Sequence, residues 1–411
     1  MIERGYKRTI PFTTLQNIEK QRRKKPIILF GAGRTAEKTI RLLRSIKVKS
    51  IVDNSLNLWG EIQDNIEIKN PKTLLDKENK QAYIIICTTS FAQVSAQLEK
   101  MGFKPEIDFC VSPILNDLRI IDELETIEKT MLFTSGSPRQ NSQFYGGGVY
   151  ELNVKGDAWK HKKVINGNCY GMINYGDNFI SVDTERGIFE FDREYKILRQ
   201  KELPHGIRAH GVDYNKQTDS FYVTGSYLDG VLVLDKEFNI KDKILISNKR
   251  EYYGSPQHHC NDCFTAGYSL YVSMFSFTGN WKLDIFDGVV LEIDLKTKKV
   301  IGPVISDLWM PHNICIIGGS LTVMDSLRGH LKKNNAQIVG EFPAFSRGLA
   351  FDGVYHYIGQ SRNRNFSKNL GLSKNISIDA GVIIWDEHTK VSRFLQLPPK
   401  LSEIHSIVLL D

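Results

Sequence analysis

The residues best suited to chemistry in this 411-residue chain are histidines, and they recur in similar settings. Pro204-His205-Gly206-Ile207-Arg208-Ala209-His210 is the densest stretch. His259-Cys260-Asn261-Asp262, Pro311-His312-Asn313-Ile314, Ser346-Arg347-Gly348-Leu349 and Ile404-His405-Ser406-Ile407 echo it. Each opens a short apolar segment, followed by a turn and a second apolar run. With Tyr170 of Cys169-Tyr170-Gly171, these stretches supply Tyr170, His210, His259, His312, Arg347 and His405. A polar residue at the same point of a repeated unit predicts a ring of side chains around an axis.

Three chemistries suit such a ring. His210, His259, His312 and His405 are candidate ligands for a transition metal ion, since neutral imidazole suits Zn, Fe, Cu and Ni. Asp213 and Asp262, three residues after His210 and His259, would then orient the ligands. Alternatively, His210, His259, His312, Arg347 and His405 form a catalytic set that binds an anionic group and moves protons near neutral pH. In the third reading the histidines plug a channel, hydrogen-bonded to one another and to water. Among the others, His205 and His258 are expected at the mouth of the ring, His161, His330 and His388 on the surface, and His356 within a strand.

The elements that must position this ring form a repeat. Gly148-Val149-Tyr150-Glu151-Leu152-Asn153 recurs as Gly187-Ile188-Phe189-Glu190-Phe191-Asp192, Gly230-Val231-Leu232-Val233-Leu234-Asp235, Gly288-Val289-Val290-Leu291-Glu292-Ile293-Asp294 and Gly381-Val382-Ile383-Ile384-Trp385-Asp386. Each run has a β-rich strand before it, a polar-headed strand before that, and a further strand after it. Four strands per unit is the pattern of a β-propeller blade. Counting inner strands predicts six blades. The last segment, 403–410, has an inner strand but no blade after it, and the first, 130–165, has outer strands but no inner one, so the two ends complete one blade. The third strand of the fourth blade, near Ala336-Gln337-Ile338-Val339, reads as degenerate. Loops 135–148, 274–288 and 360–381 return to the mouth and carry Arg139, Lys282, Arg362, Arg364 and Lys368, which predicts a basic mouth. Trp309-Met310-Pro311-His312, Val323-Met324-Asp325-Ser326, Phe345-Ser346-Arg347-Gly348-Leu349-Ala350-Phe351 and Ile358-Gly359-Gln360-Ser361-Arg362 resemble an uncharacterised bacterial propeller-like family of unknown function. The resemblance supports the fold and implies no activity.

The amino-terminal part reads differently. Pro26-Ile27-Ile28-Leu29-Phe30 is a buried strand, Gly31-Ala32-Gly33-Arg34-Thr35-Ala36 a glycine turn, and 37–46 a helix. Lys49-Ser50-Ile51-Val52-Asp53 is a second strand ending in an acid. This order is that of a dinucleotide-type fold. Gly31 permits the turn, Gly33 lets backbone approach a phosphate, and the N-terminus of the following helix offers free N–H groups. Asp53 is placed to accept from a ribose. Gly31, Gly33, Arg34 and Asp53 are therefore the candidate cofactor-binding residues, for NAD or a nucleotide-sugar. The alternative is a domain of this shape without a nucleotide. The segments Phe30-Gly31-Ala32-Gly33, Val52-Asp53-Asn54-Ser55-Leu56-Asn57-Leu58-Trp59-Gly60, Asn70-Pro71, Ile84-Ile85-Ile86-Cys87-Thr88-Thr89 and Met101-Gly102-Phe103 resemble small Rossmann modules appended to bacterial enzymes of capsule and surface-glycan biosynthesis. That resemblance implies a nucleotide or nucleotide-sugar ligand.

Composition bounds the rest. A net charge of +7 is mild for this length, and no basic patch with interleaved aromatics is present, which argues against nucleic acid as a partner. Arg22-Arg23-Lys24-Lys25 reads as a solvated approach to the first strand. The apolar runs are too short to cross a bilayer, the start lacks a stretch of signal-peptide length, and the cytoplasm is the expected location. Six scattered cysteines do not form a disulfide framework, and Cys260-Asn261-Asp262-Cys263 has no second pair to complete a zinc site. The sequence thus predicts an α/β plus all-β chain: a small Rossmann-like parallel-sheet domain over 1–120 and a six-bladed propeller over 121–411. The expected function is an enzyme of surface-polysaccharide or glycoconjugate biosynthesis acting on an anionic or sugar substrate. The alternative is a non-catalytic ligand-binding or scaffolding protein of the same pathway.

Overall fold

The computed structural model describes residues 25–44, 46–334, 337–364, 366–369 and 375–410, with positions 13, 15, 18 and 19 before them. Met1–Arg8, the basic residues Arg22, Arg23 and Lys24, and Ala336 lie outside the described residues. The chain divides into two compact units, Met1–Glu123 and Leu124–Asp411. Among the described residues no helix is long and apolar enough to cross a membrane.

Unit 1 contains β1 (Ile27–Phe30), α1 (Arg34–Leu43), β2 (Val48–Val52), β3 (Ile62–Gln63), β4 (Ile66–Lys69), β5 (Tyr83–Ile86), α2 (Phe91–Lys100), β6 (Phe109–Val111) and α3 (Asn116–Thr126). Its sheet runs β3-β4-β2-β1-β5-β6, parallel except for the short edge strand β3. Strand residues alternate between two cores. Ile27, Leu29, Ile51 and Ile85 pack with Ala36 and Leu43 of α1. Ile28, Phe30, Val52, Ile84 and Ile86 pack with Val94 and Leu98 of α2. Burial on both faces is why these strands read as continuous apolar runs.

Unit 2 is a six-bladed β-propeller of four-stranded antiparallel sheets. The inner strands of blades 1 to 5 are Cys169–Tyr175, Ala209–Asn215, Cys260–Ala266, Pro311–Ile317 and Phe345–Phe351. Blade 6 joins the two ends of the unit: Ile407–Leu409 is its inner strand, paired antiparallel with Glu128–Ser135, beyond which lie Gly148–Lys155 and Ala158–Asn166. The repeated glycine opens the third strand of five blades. A Cβ added at Gly148, Gly187, Gly230, Gly288 or Gly381 would stand 2.1–2.6 Å from a carbonyl oxygen of the fourth strand, so only glycine fits.

Blade 4 departs from the sequence reading. Its third strand is His330–Lys333, in regular register with Ser320–Asp325, and its fourth is Gln337–Glu341, paired with the third across a shift between Leu331 and Lys332. The segment taken for a degenerate third strand is the fourth strand. The true third strand lacks the opening glycine and spans only four residues, which hid it.

Candidate functional site

Each inner strand of blades 1 to 5 is bulged near its start. In blade 1, Cys169 pairs with Asp183 and Met172 with Ser181, so Tyr170 and Gly171 share one partner. The same shift puts His210 and Gly211, Asn261 and Asp262, His312 and Asn313, and Arg347 and Gly348 at the bulges of blades 2 to 5. In blade 6, His405 N–H donates to Thr134 O and Thr134 N–H donates to Ser406 O, so His405 and Ser406 likewise oppose one residue. A bulge re-aims the side chain it carries. The equivalent first residues are therefore Tyr170, His210, Asn261, His312, Arg347 and His405. Five belong to the expected ring. In blade 3 the position belongs to Asn261, and His259 stands two residues earlier.

One cavity of about 370 Å³ is lined by all six expected residues, Tyr170, His210, His259, His312, Arg347 and His405. Tyr170 sits between His210 and His405, at ring-centroid distances of 4.5 and 4.4 Å, and His210 lies 5.8 Å from His312. His259 is set apart, stacked on Phe275 at 4.2 Å and leaning on Trp281 at 4.6 Å. Its backbone is left-handed, with φ of 55°, and its Nδ1 has no hydrogen-bond partner.

The imidazoles differ in their commitments. His312 Nδ1 lies 2.9 Å from the Met310 carbonyl and from Ser326 Oγ, and a carbonyl can only accept, so Nδ1 carries the proton. Nε2 is then an acceptor and takes a hydrogen bond from Asn261 Nδ2 at 2.9 Å. His405 Nε2 donates to Glu403 Oε2 at 2.9 Å, and Arg347 Nη1 approaches its Nδ1 at 3.4 Å. Among the described residues neither ring nitrogen of His210 has a partner, although the residue is only 7% exposed, and both nitrogens stay open to the cavity. Burial, then the neighbouring His405, His312 and Arg208, holds His210 well below the usual imidazole range. Burial and Arg347 do the same to His312. His259 is pushed down to about 3 by burial and Arg208. His405 is pushed down to about 3 by burial and Arg347, against the pull of Glu403. All four are neutral at pH 7. Burial would raise the Glu403 carboxyl, but Arg347, His405 and Arg364 outweigh it and hold Glu403 well below the usual carboxylate range.

Among the described residues the cavity wall carries six cations, Arg208, Lys282, Arg347, Arg362, Arg364 and Lys368, against two carboxylates, Asp284 and Glu403. Arg347 and Arg364 share Glu403, and Lys368 pairs with Asp284. Among the described residues Arg208, Lys282 and Arg362 have no carboxylate within ion-pair distance. Arg139 is the exception to the expected basic mouth: it pairs with Asp183 and Glu185 and does not line the cavity.

The residues do not fit the four-histidine metal set. Both nitrogens of His312 and Nε2 of His405 are committed, and His259 is turned into aromatic packing. Among the described residues no group of three or more His, Cys, Asp or Glu is placed to hold a metal ion. Asp213 and Asp262 do not orient the imidazoles either. They line a second cavity of about 330 Å³, apart from the imidazoles: Asp213 lies three strand residues beyond His210, and Asp262 is the second residue of the bulge whose first residue, Asn261, bonds His312. Asp213 binds the N–H and hydroxyl of Thr265. Cys260 and Cys263 are buried free thiols raised well above their ordinary range by burial. His258 bonds Ser247 Oγ and Ser276 O, and His161 is half-buried against Phe144 and Tyr150 rather than free on the surface.

In unit 1, Gly31 has a φ of 108° and a Cβ there would stand 3.1 Å from the Cys87 backbone. Gly33 and Arg34 are exposed at the start of α1, which has no side-chain cap. Asp53 does not stand free for a ribose: Oδ2 accepts from Ala32 N at 2.7 Å and Oδ1 from Ser55 N at 2.8 Å. Its carboxylate braces the glycine turn.

The fold and site define a six-bladed β-propeller with a polar axial ring beneath a cationic cavity. The family model described as "Domain of unknown function (DUF4915)" matches residues 190–411, more than half of the chain, and the chain belongs to that family. The matched stretch begins in the third strand of blade 1, so Tyr170 and the outer strands of blade 6 lie before it. No curated protein matches the sequence. Among solved structures, the nidogen/laminin complex is similar at 11% identity and TM-score 0.47, over 69% of this chain and 98% of that one. A protein of unknown function from Bacteroides caccae is similar at 13% identity and TM-score 0.45, over 68% and 98%. A Lactobacillus plantarum protein is similar at 15% identity and TM-score 0.41, over 69% and 100%. These likenesses bring no activity with them.

Proposed function

We propose that the propeller is an acid–base enzyme for a small anionic substrate, with His210 as the proton acceptor. The observation that supports this is the contrast among the clustered imidazoles: His312 and His405 are tied by hydrogen bonds, whereas His210 is neutral, buried and uncommitted at both nitrogens. A neutral imidazole in such a site accepts a proton from a bound hydroxyl or acidic C–H once the substrate's own anion offsets the burial and cations that depress its basicity. Arg347, ion-paired to Glu403, holds His405 beside it, and Arg208 supplies positive charge for the substrate anion and for any oxyanion that develops. His259 shapes the aromatic side of the cavity. Unit 1 is proposed as a Rossmann-type module that holds the phosphate of a nucleotide or nucleotide-sugar at the uncapped start of α1, with Gly31, Gly33 and Arg34 around it. Asp53 acts there through the turn rather than on a ribose. The resemblance of that unit to modules of surface-glycan enzymes supports a substrate from glycoconjugate synthesis.

Incubating the wild type and His210→Ala with a library of carboxylated and phosphorylated sugars, read by mass spectrometry and calorimetry, tests the reading. The wild type should consume a compound that His210→Ala binds but leaves unchanged. A compound that both proteins bind equally and neither converts would establish the non-catalytic alternative.

A further inference from the structure

The cavity is divided by sector. From blades 3 to 5 come Phe275, Trp281, Phe286, Met310 and Phe345, which pack together with Leu327 and Trp309, and the blade 3 loop that carries Trp281 also brings Lys282 and Asp284 to the wall. His312 belongs to this side, with ring centroids 5.6 Å from Phe275 and 5.4 Å from Phe345. From blades 5, 6, 1 and 2 come Arg347, Arg362, Glu403, His405, Tyr170, Arg208 and His210. Arg208 has a left-handed backbone, with φ of 49°, which a non-glycine residue adopts only under constraint from its surroundings. That backbone places its guanidinium 3.2 Å from Tyr170 OH, 5.8 Å from the centre of the Tyr170 ring and 5.5 Å from that of Tyr227. Two tyrosine faces and a phenol hold this cation in place without neutralising it.

A ligand matching both halves needs two parts. An apolar surface about one ring wide belongs against Trp281 and Phe275, and an anionic group belongs at Arg208, within reach of His210. A volume near 370 Å³ accommodates one ring with substituents and excludes a dinucleotide. We infer that the propeller's ligand is a single six-membered ring with an apolar face and one carboxylate or phosphate substituent, its ring seated on Trp281 and its anion on Arg208. Sugar acids, sugar phosphates and aromatic acids share that chemistry. The inference deepens the proposed function and rests on its placement of the substrate in this cavity.

Calorimetric titration of the full chain with glucuronate, glucose 6-phosphate, 4-hydroxybenzoate, glucose and inorganic phosphate tests it. At least one ring anion should bind tenfold or more tightly than both glucose and phosphate, and which one identifies the source. Arg208→Gln should abolish the preference for the ring anion over glucose. Trp281→Leu should weaken the ring anion about tenfold while leaving phosphate unchanged. The wild-type ranking alone decides the matter if a variant fails to fold. Phosphate binding as tightly as every ring anion, glucose binding as tightly as glucuronate, or no ring anion binding at millimolar concentration overturns the inference. A ring anion bound but not consumed refutes catalysis and leaves this assignment intact. Consumption of an acyclic substrate does the reverse.

Discussion

The neutral state of the cavity histidines has a measurable consequence for stability. His210, His259, His312 and His405 are each less than a tenth exposed. All are displaced downward from the ordinary value of 6.5, principally by burial. In the unfolded chain they titrate near 6.5, so below that pH the unfolded state binds protons that the folded state refuses. Each imidazole thus contributes stability that is complete above pH 6.5 and is lost as pH falls from there towards the folded value. Between pH 7.5 and 5.5 the loss is about 1.4 kcal/mol for each. For four it is about 5 kcal/mol, comparable to the whole stability of a marginal domain. Urea unfolding at pH 7.5, 6.5 and 5.5, followed by tryptophan fluorescence, reads the effect, since four of the five tryptophans lie in the propeller. His210→Gln keeps a neutral polar side chain and should remove about a quarter of the pH slope due to these histidines. A propeller whose stability is flat over this range, or a His210→Gln slope equal to the wild type's, would mean that the folded imidazoles take up protons as readily as the unfolded ones. His210 would then not be the buried, neutral proton acceptor that the proposed function requires.

Three further outcomes are expected. Gly136→Ala puts a Cβ 2.7 Å from His405 Nε2 and from the Tyr170 ring; it should displace both, cost about 1–3 kcal/mol by denaturation and weaken ligand binding. Asn261→Leu removes the donor to His312 Nε2 and should destabilise the propeller by about 1–2 kcal/mol; no change would show that His312 does not need this lock. A Cβ at Gly33 meets nothing within 4 Å, so Gly33→Asp should fold normally while its carboxylate repels phosphate from the start of α1; unchanged titration with NAD and UDP-glucose would refute that site.

The propeller was legible because its glycines mark a steric necessity at one point of the blade, and a necessity repeats. Blade 4 was misassigned where that mark is missing, at His330–Lys333. The ring was legible to the extent that a histidine, arginine or tyrosine occupies the bulge. Sequence cannot show which residue of His258-His259-Cys260-Asn261 is bulged, because the bulge is defined by pairing with Ser269–Met274. The choice fell on the more reactive side chain and missed Asn261. Asp213 was misplaced by counting residues without the rise of a strand, and Asp262 by missing the bulge that it shares with Asn261. Glu403 left a usable signal: two residues before His405, it shares that residue's side of an extended segment. Gly136 left none, since its closeness to the ring depends on tertiary packing. Asp53 sits at its expected sequence position, but its role is set by the backbone N–H groups of Ala32 and Ser55, and no spacing rule records those.

The bulges also explain how one scaffold carries unlike side chains. At the first bulge position the backbone fixes direction, so the side chain can vary without disturbing the blade. In blades 1 and 2 the next residue is more restricted. A Cβ at Gly171 would stand 2.8 Å from the His210 carbonyl and Val212 N, and one at Gly211 would stand 2.7 Å from the Asp262 backbone. Adjacent inner strands therefore touch just beneath the ring. This close approach separates the cavity of the imidazoles from that of Asp213 and Asp262, and it keeps buried carboxylates away from His210. A carboxylate beside His210 would favour the imidazolium, as Glu403 does in part for His405. His210 stays neutral first because it is buried, and its companions at the bulges, a phenol, two neutral imidazoles, an amide and a guanidinium, supply no negative charge to offset that. Glu403, the acid that bonds His405, is already engaged by Arg347 and Arg364 as well.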